Sequence, residues 1–188
     1  MLNIPNLLSL LRMGLVPLFV IALTRGEMGK ALAIFFVAGV TDALDGFVAR
    51  FWGQQTTLGT FLDPAADKLL MTAGYVVLTI EHLTPVLSIP LWVSIMVIAR
   101  DVLIVIIAAA MYAAQEVKTF PPMFLSKVTT AVQVLALGLV LLANTLVEAG
   151  MVSRVAEWVV YSVAVFTVAS GVGYLVRAGK MDREGQGA

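Results

Sequence analysis

Four aspartates, Asp42, Asp45, Asp63 and Asp67, stand in "TDALDGFVARFWGQQTTLGTFLDPAADK", residues 41–68, between almost uniformly apolar flanks. An aspartate at the centre of a membrane helix costs roughly 2.5–3.5 kcal/mol, so four unpaired ones approach about 10 kcal/mol before their mutual repulsion is counted. Something positive has to offset them. Arg50 and Lys68 are near in sequence, but neither sits where it could neutralise all four at once. Hard divalent cations take oxygen ligands, and Mg²⁺ commonly uses one or two carboxylates together with substrate phosphates. The four acids therefore point to one or two divalent ions that receive a phosphate or diphosphate.

The neighbours suit that chemistry. Gly46, Ala49 and Gly59 are small enough to let a bulky headgroup or a second backbone come close. Arg50 can present a planar fork of donors to phosphate oxygens. Taken singly, the same residues have plainer roles. Asp63 before Pro64 suits a helix N-cap followed by proline at the first helical position. Asp42 and Asp45 could be a helix-end pair bridged to Arg50, and Gly46 and Ala49 could serve helix packing. A small carboxylate-based cation transporter would also keep acids inside a membrane, without needing the glycines, alanine and arginine at these spacings.

The elements that must carry these residues are helices. The 188-residue chain is 60% hydrophobic and 13% charged, where soluble domains are about 45–50% apolar and roughly 25% charged. A spanning helix takes roughly 20 apolar residues, and apolar runs fall at 5–24, 29–51, 59–80, 86–114, 123–147 and 153–176. The expected fold is an all-α integral membrane bundle of six transmembrane helices, with a short interfacial N-terminal segment in which Asn6, Ser9 and Arg12 form a polar stripe. Asp42 and Asp45 are three apart, Asp63 and Asp67 four apart, so each pair shares a helix face. The loop between them is short, and the two helices should be antiparallel neighbours whose carboxylates converge.

Six crossings put both termini on one side with Arg12, Arg50, Lys118, Lys127, Arg177, Lys180 and Arg183, and leave Arg25, Lys30 and Arg154 on the other. That asymmetry places the termini and the acids in the cytoplasm. The start lacks the features of a cleaved signal peptide, so Met1 is expected to begin the mature chain. Residues 1–177 form the expected membrane domain and 178–188 a polar, disordered cytoplasmic tail. Without cysteine there is no disulfide or thiolate chemistry, and zero formal net charge argues against a nucleic-acid partner. His82, the single histidine, falls in an outer loop and is assigned no catalytic role.

The pattern Asp42-x-x-Asp45-Gly46-x-x-Ala49-Arg50, eight residues, then Gly59-x-x-x-Asp63-x-x-x-Asp67 resembles the signature of the CDP-alcohol phosphatidyltransferase family at every position. The resemblance implies a membrane enzyme of six spanning helices, commonly a homodimer among membrane lipids, working at the cytoplasmic leaflet. It implies that Asp42, Asp45, Asp63 and Asp67 hold Mg²⁺ or Mn²⁺, with two ions expected, and that Gly46, Ala49, Arg50 and Gly59 line the site for the CDP-lipid. Asp67 would be the general base, taking the proton of the acceptor hydroxyl, whose oxygen attacks the lipid-bearing phosphorus of CDP-diacylglycerol and releases CMP.

The opening "IPNLLSLLRMGLVPLF" resembles the glycerol-type branch of the family, which contains phosphatidylglycerophosphate synthases and eukaryotic-type cardiolipin synthases. Arg100 in "IARDVLIV" and Lys127 in "FLSKVTTAVQ" are the candidates for binding the acceptor. Phosphatidylglycerophosphate synthases more often carry Arg-Glu and a further arginine, whereas here Arg100-Asp101 is followed by no basic residue before Lys118. Glycerol 3-phosphate ends in a phosphate of nearly two charges and favours more than one cationic contact; phosphatidylglycerol carries one diffuse charge. Phosphatidylglycerol is therefore the favoured acceptor, with glycerol 3-phosphate the alternative. Arg100 could instead only pair with Asp101, and Lys127 could be a snorkelling interfacial lysine.

Overall fold

The computed structural model describes the backbone of residues 4–52, 57–113, 124–146 and 150–185, and side chains within 10–42, 66–107, 124–146 and 150–174. Among the described residues the chain is helical without strands: α1 (Ile4–Thr24), α2 (Met28–Trp52), α3 (Thr57–Val77), α4 (Leu91–Ala113), α5 (Phe124–Thr145) and α6 (Gly150–Gly185). A single 3-10 turn, Glu81–Leu83, lies between α3 and α4. Two of these helices are long and apolar enough to cross a membrane within their described parts, Phe124–Thr145 and the Gly150–Tyr174 stretch of α6.

The sequence places the helix boundaries well except at three points. Residues 86–90, expected at the start of the fourth segment, are irregular, and α4 begins only at Leu91, after Pro90. Proline has no N–H and disfavours helix for the residue before it. The polar tail is also different from expectation: the backbone of α6 continues as helix to Gly185. Extending an existing helix adds one hydrogen bond per residue fixed, whereas starting one is costly, so a long apolar helix can carry a polar turn or two with it. Finally, α1 runs unbroken from Ile4, without a separate interfacial segment, and Arg12 is wholly buried.

The chain divides into two compact units, Met1–Ile89 with Leu137–Ala156, and Pro90–Ala136 with Glu157–Ala188. In the first unit α1 packs against both α2 and α3. The α1–α2 turn is sharp because Gly26 takes φ 71°, a conformation glycine adopts without steric penalty. Glu27 N–H donates to Ala22 O at 2.9 Å and Gly26 N–H to Leu23 O at 3.0 Å, the paired bonds that close a helix end around a left-handed residue. Behind this turn Phe19 and Phe35 stack at 6.1 Å. Gly74 on α3 lets the side chains of Leu137 and Phe19 approach so closely that a Cβ there would lie 2.8 Å from Leu137 Cδ2. Against lipid, which is as apolar as leucine, such close packing rather than water exclusion holds helices together.

The irregular stretch after α3 is held by one side chain. Asn144 Oδ1 accepts from the N–H groups of Val86 at 2.9 Å and Leu87 at 3.2 Å, and its Nδ2 donates to Leu87 O at 2.7 Å and Val140 O at 2.8 Å. Ile89 N–H donates to Leu78 O. Backbone groups outside a helix are thereby satisfied in an otherwise apolar chain, as burial requires. Hydroxyls follow the same rule: Thr79, Thr129 and Thr145 each donate to the carbonyl four residues earlier.

In the second unit Val93, Val97 and Val163 are buried, and Trp92 stacks on Tyr161 at 6.1 Å. Large apolar side chains on α6 point outward, with Met151 82% and Trp158 76% exposed.

Candidate active site

The α1–α2 hairpin determines which residues stand side by side. Arg12 lies twelve residues before the end of α1 and Asp42 fourteen after the start of α2, about 18 Å and about 21 Å along antiparallel helices at 1.5 Å per residue. The two therefore reach the same level. The next hairpin repeats the pattern, with Asp42 ten residues before the end of α2 and Asp67 ten after the start of α3. Three helices thus bring Arg12, Asp42 and Asp67 together.

Arg12 Nη1 lies 2.9 Å from Asp42 Oδ1 and 2.7 Å from Asp67 Oδ1. The guanidinium has no exposed surface, while the carboxylates are 50% and 41% exposed. Leaving an arginine buried without compensation would cost several kcal/mol; here a charge-assisted hydrogen bond to Asp67 and an ion pair with Asp42 stabilise it. Among the described residues of the cluster, one guanidinium faces two carboxylates.

Asp45 and Asp63 lie on the same continuous helices, three and four residues from the two described acids. Their side chains, with those of Gly46, Ala49, Arg50 and Gly59, fall outside the described residues. One alternative is removed by the backbone alone. Asp63 is six residues beyond the first residue of α3, so it is inside the helix rather than capping it. Among the described residues no three metal-ligating side chains gather. The donor set that is described nevertheless suits a hard cation, because two carboxylate oxygens from different helices already converge on one positively charged atom.

Arg100 and Lys127 stand in the second unit. Arg100, 5% exposed, donates through Nη1 to Asp101 Oδ1 at 2.8 Å and through Nη2 to the hydroxyls of Ser126 and Ser170. Its buried Nε–H meets no partner among the described residues. The pairing with Asp101 is the one the sequence allowed; Ser170, from α6, was invisible in it. Lys127, adjacent to Ser126 on α5, is exposed, as is Lys68 on α3. His82 is exposed on its 3-10 turn.

Arg12 is the member of this cluster that sequence reasoning did not place with the acids. Its signal was present, since a charged residue eight positions into a long apolar helix needs a partner, but the partners were 30 and 55 residues away.

Residues 2–169 match the CDP-alcohol phosphatidyltransferase family. Among characterised relatives, cardiolipin synthase (CMP-forming) of Rattus norvegicus is 40% identical over 151 residues, which cover 71% of this chain and 48% of the relative. CDP-diacylglycerol--glycerol-3-phosphate 3-phosphatidyltransferase of Haemophilus influenzae is 35% identical over 177 residues, covering 92% of this chain and 91% of the relative. A probable phosphatidylglycerophosphate synthase of Mycobacterium tuberculosis is 32% identical over 182 residues, covering 94% and 81%. The chain spans about half the length of the rat relative and most of the two bacterial ones.

Proposed function

We propose, from the premise that the chain belongs to the CDP-alcohol phosphatidyltransferase family, that it transfers a phosphatidyl group from CDP-diacylglycerol to a glycerol-type alcohol and releases CMP in phospholipid synthesis. The observation that carries this is the meeting of Asp42 and Asp67, the first and last acids of the family pattern, at one point between three helices.

Asp42, Asp45, Asp63 and Asp67 would hold Mg²⁺ or Mn²⁺. Bound there, the cation supplies charge stabilisation for the phosphoryl oxygens and the departing phosphate. The protein's own contribution is position and compensation. Gly46, Ala49 and Gly59 leave room for the nucleotide diphosphate, and Arg50 offers it a fork of donors. Asp67 takes the proton from the acceptor hydroxyl; the oxygen forms the new bond to the lipid-bearing phosphorus as the bond to the CMP oxygen breaks. The enzyme is multi-pass, with its six helices crossing the membrane and both termini and the acids at the cytoplasmic face, and it works as a homodimer. The outward apolar surface of α6 and the distribution of Lys and Arg support that placement.

Phosphatidylglycerol is the favoured acceptor. Arg100 is committed to Asp101, Ser126 and Ser170, which leaves exposed Lys127 as the readier cation among the described residues of that unit, a contact suited to a singly charged phosphodiester. Glycerol 3-phosphate is the second reading, favoured by the near full-length match to the Haemophilus influenzae relative. Purified protein given CDP-diacylglycerol, Mg²⁺ and both alcohols in parallel should release CMP and form cardiolipin. Phosphatidylglycerophosphate as the product would reverse the acceptor assignment, and no CMP with either alcohol would refute the activity.

A further inference from the structure

Arg12 enters the acid cluster from α1, with no exposed surface of its own, and a single nitrogen of its guanidinium meets both Asp42 Oδ1 and Asp67 Oδ1. That nitrogen stands at the point where the two carboxylates converge. The carboxylates themselves are about half exposed, so they are open to a second cation. We infer that Arg12 is an internal counter-ion: it holds Asp42 and Asp67 together before a divalent cation arrives and competes with that cation for the same two oxygens. The inference rests on the assignment of these acids as metal ligands.

Competition has two physical consequences. The metal-free acids are spared mutual repulsion, and metal affinity falls by whatever free energy is required to displace the guanidinium. A buried guanidinium, once displaced, is stabilised by another anion. The diphosphate of the incoming CDP-lipid is the anion that the proposed reaction brings, so metal and nucleotide should each tighten the binding of the other.

The test is a Mn²⁺ titration of the full-length protein in detergent micelles, following free Mn²⁺ by electron paramagnetic resonance with no acceptor alcohol present. Arg12→Gln removes the charge and leaves a shorter, neutral side chain with an amide donor; Arg12→Lys keeps the charge. Arg12→Gln should bind Mn²⁺ about tenfold more tightly than wild type, the equivalent of about 1.4 kcal/mol, and Arg12→Lys should stay near wild type. In EDTA, Arg12→Gln should melt below wild type, and Mn²⁺ should raise its melting temperature by more. Mn²⁺ binding by Arg12→Gln that equals wild type or is weaker overturns the inference. If wild type and both variants bind no Mn²⁺, the metal-site assignment fails first, and the inference with it.

Discussion

Two buried arginines face carboxylates in this chain, in opposite electrical company. Arg12 meets two aspartates that are each about half exposed, whereas Arg100 meets one aspartate that is 15% exposed, along with two serine hydroxyls. Among the described residues the first cluster sets two carboxylates against one guanidinium, and the second pairs one with one. A surplus of exposed carboxylate invites a cation, and a balanced buried pair holds helices in place. The difference separates the proposed reacting centre from a positioning one.

The contrast predicts variants of different kinds. The largest effect should come from Asp67→Asn, which removes the proposed base and lowers CMP release by about 10²–10⁴-fold while CDP-diacylglycerol binding persists; loss of binding to the same degree would erase its distinction from a purely metal-ligating role. Next, Arg100→Ala removes the buried ion pair with Asp101 and should destabilise the protein by about 3 kcal/mol, seen as a lower melting temperature that Mn²⁺ does not restore. Restoration by Mn²⁺ would make the two clusters alike. Lys127→Ala should raise the KM for the acceptor about tenfold, equal to about 1.4 kcal/mol, with kcat little changed; a fall in kcat alone would move Lys127 out of acceptor binding. The smallest change is Ser170→Ala, which removes one hydrogen bond to Arg100 at about 1 kcal/mol, measurable by thermal denaturation and without effect on KM.

Apolar run lengths located all six helices because such runs need no distant partner to declare themselves. They failed where a local signal competed. Pro85 and Pro90 flank an apolar stretch that resembles helix by composition, yet its backbone groups bond Asn144, 58 and 57 residues later in the chain. Asp63-Pro64 resembles a helix start, but α3 begins at Thr57. A proline-containing turn and a proline inside a longer helix share the same local residues, so only the rest of the helix distinguishes them.

The sequence by itself determined the class of chemistry, since eight residues at fixed helical spacing define where acids, small residues and one arginine must recur along two helices. It also determined the helical fold, through the length and apolarity of the runs. Only the tertiary structure decided that Arg12 meets Asp42 and Asp67, and that Ser170 secures Arg100. The physical reason is distance along the chain. Spacing within one helix follows from 1.5 Å per residue, but a buried charge takes whatever partner the packing of separate helices brings to hydrogen-bond range.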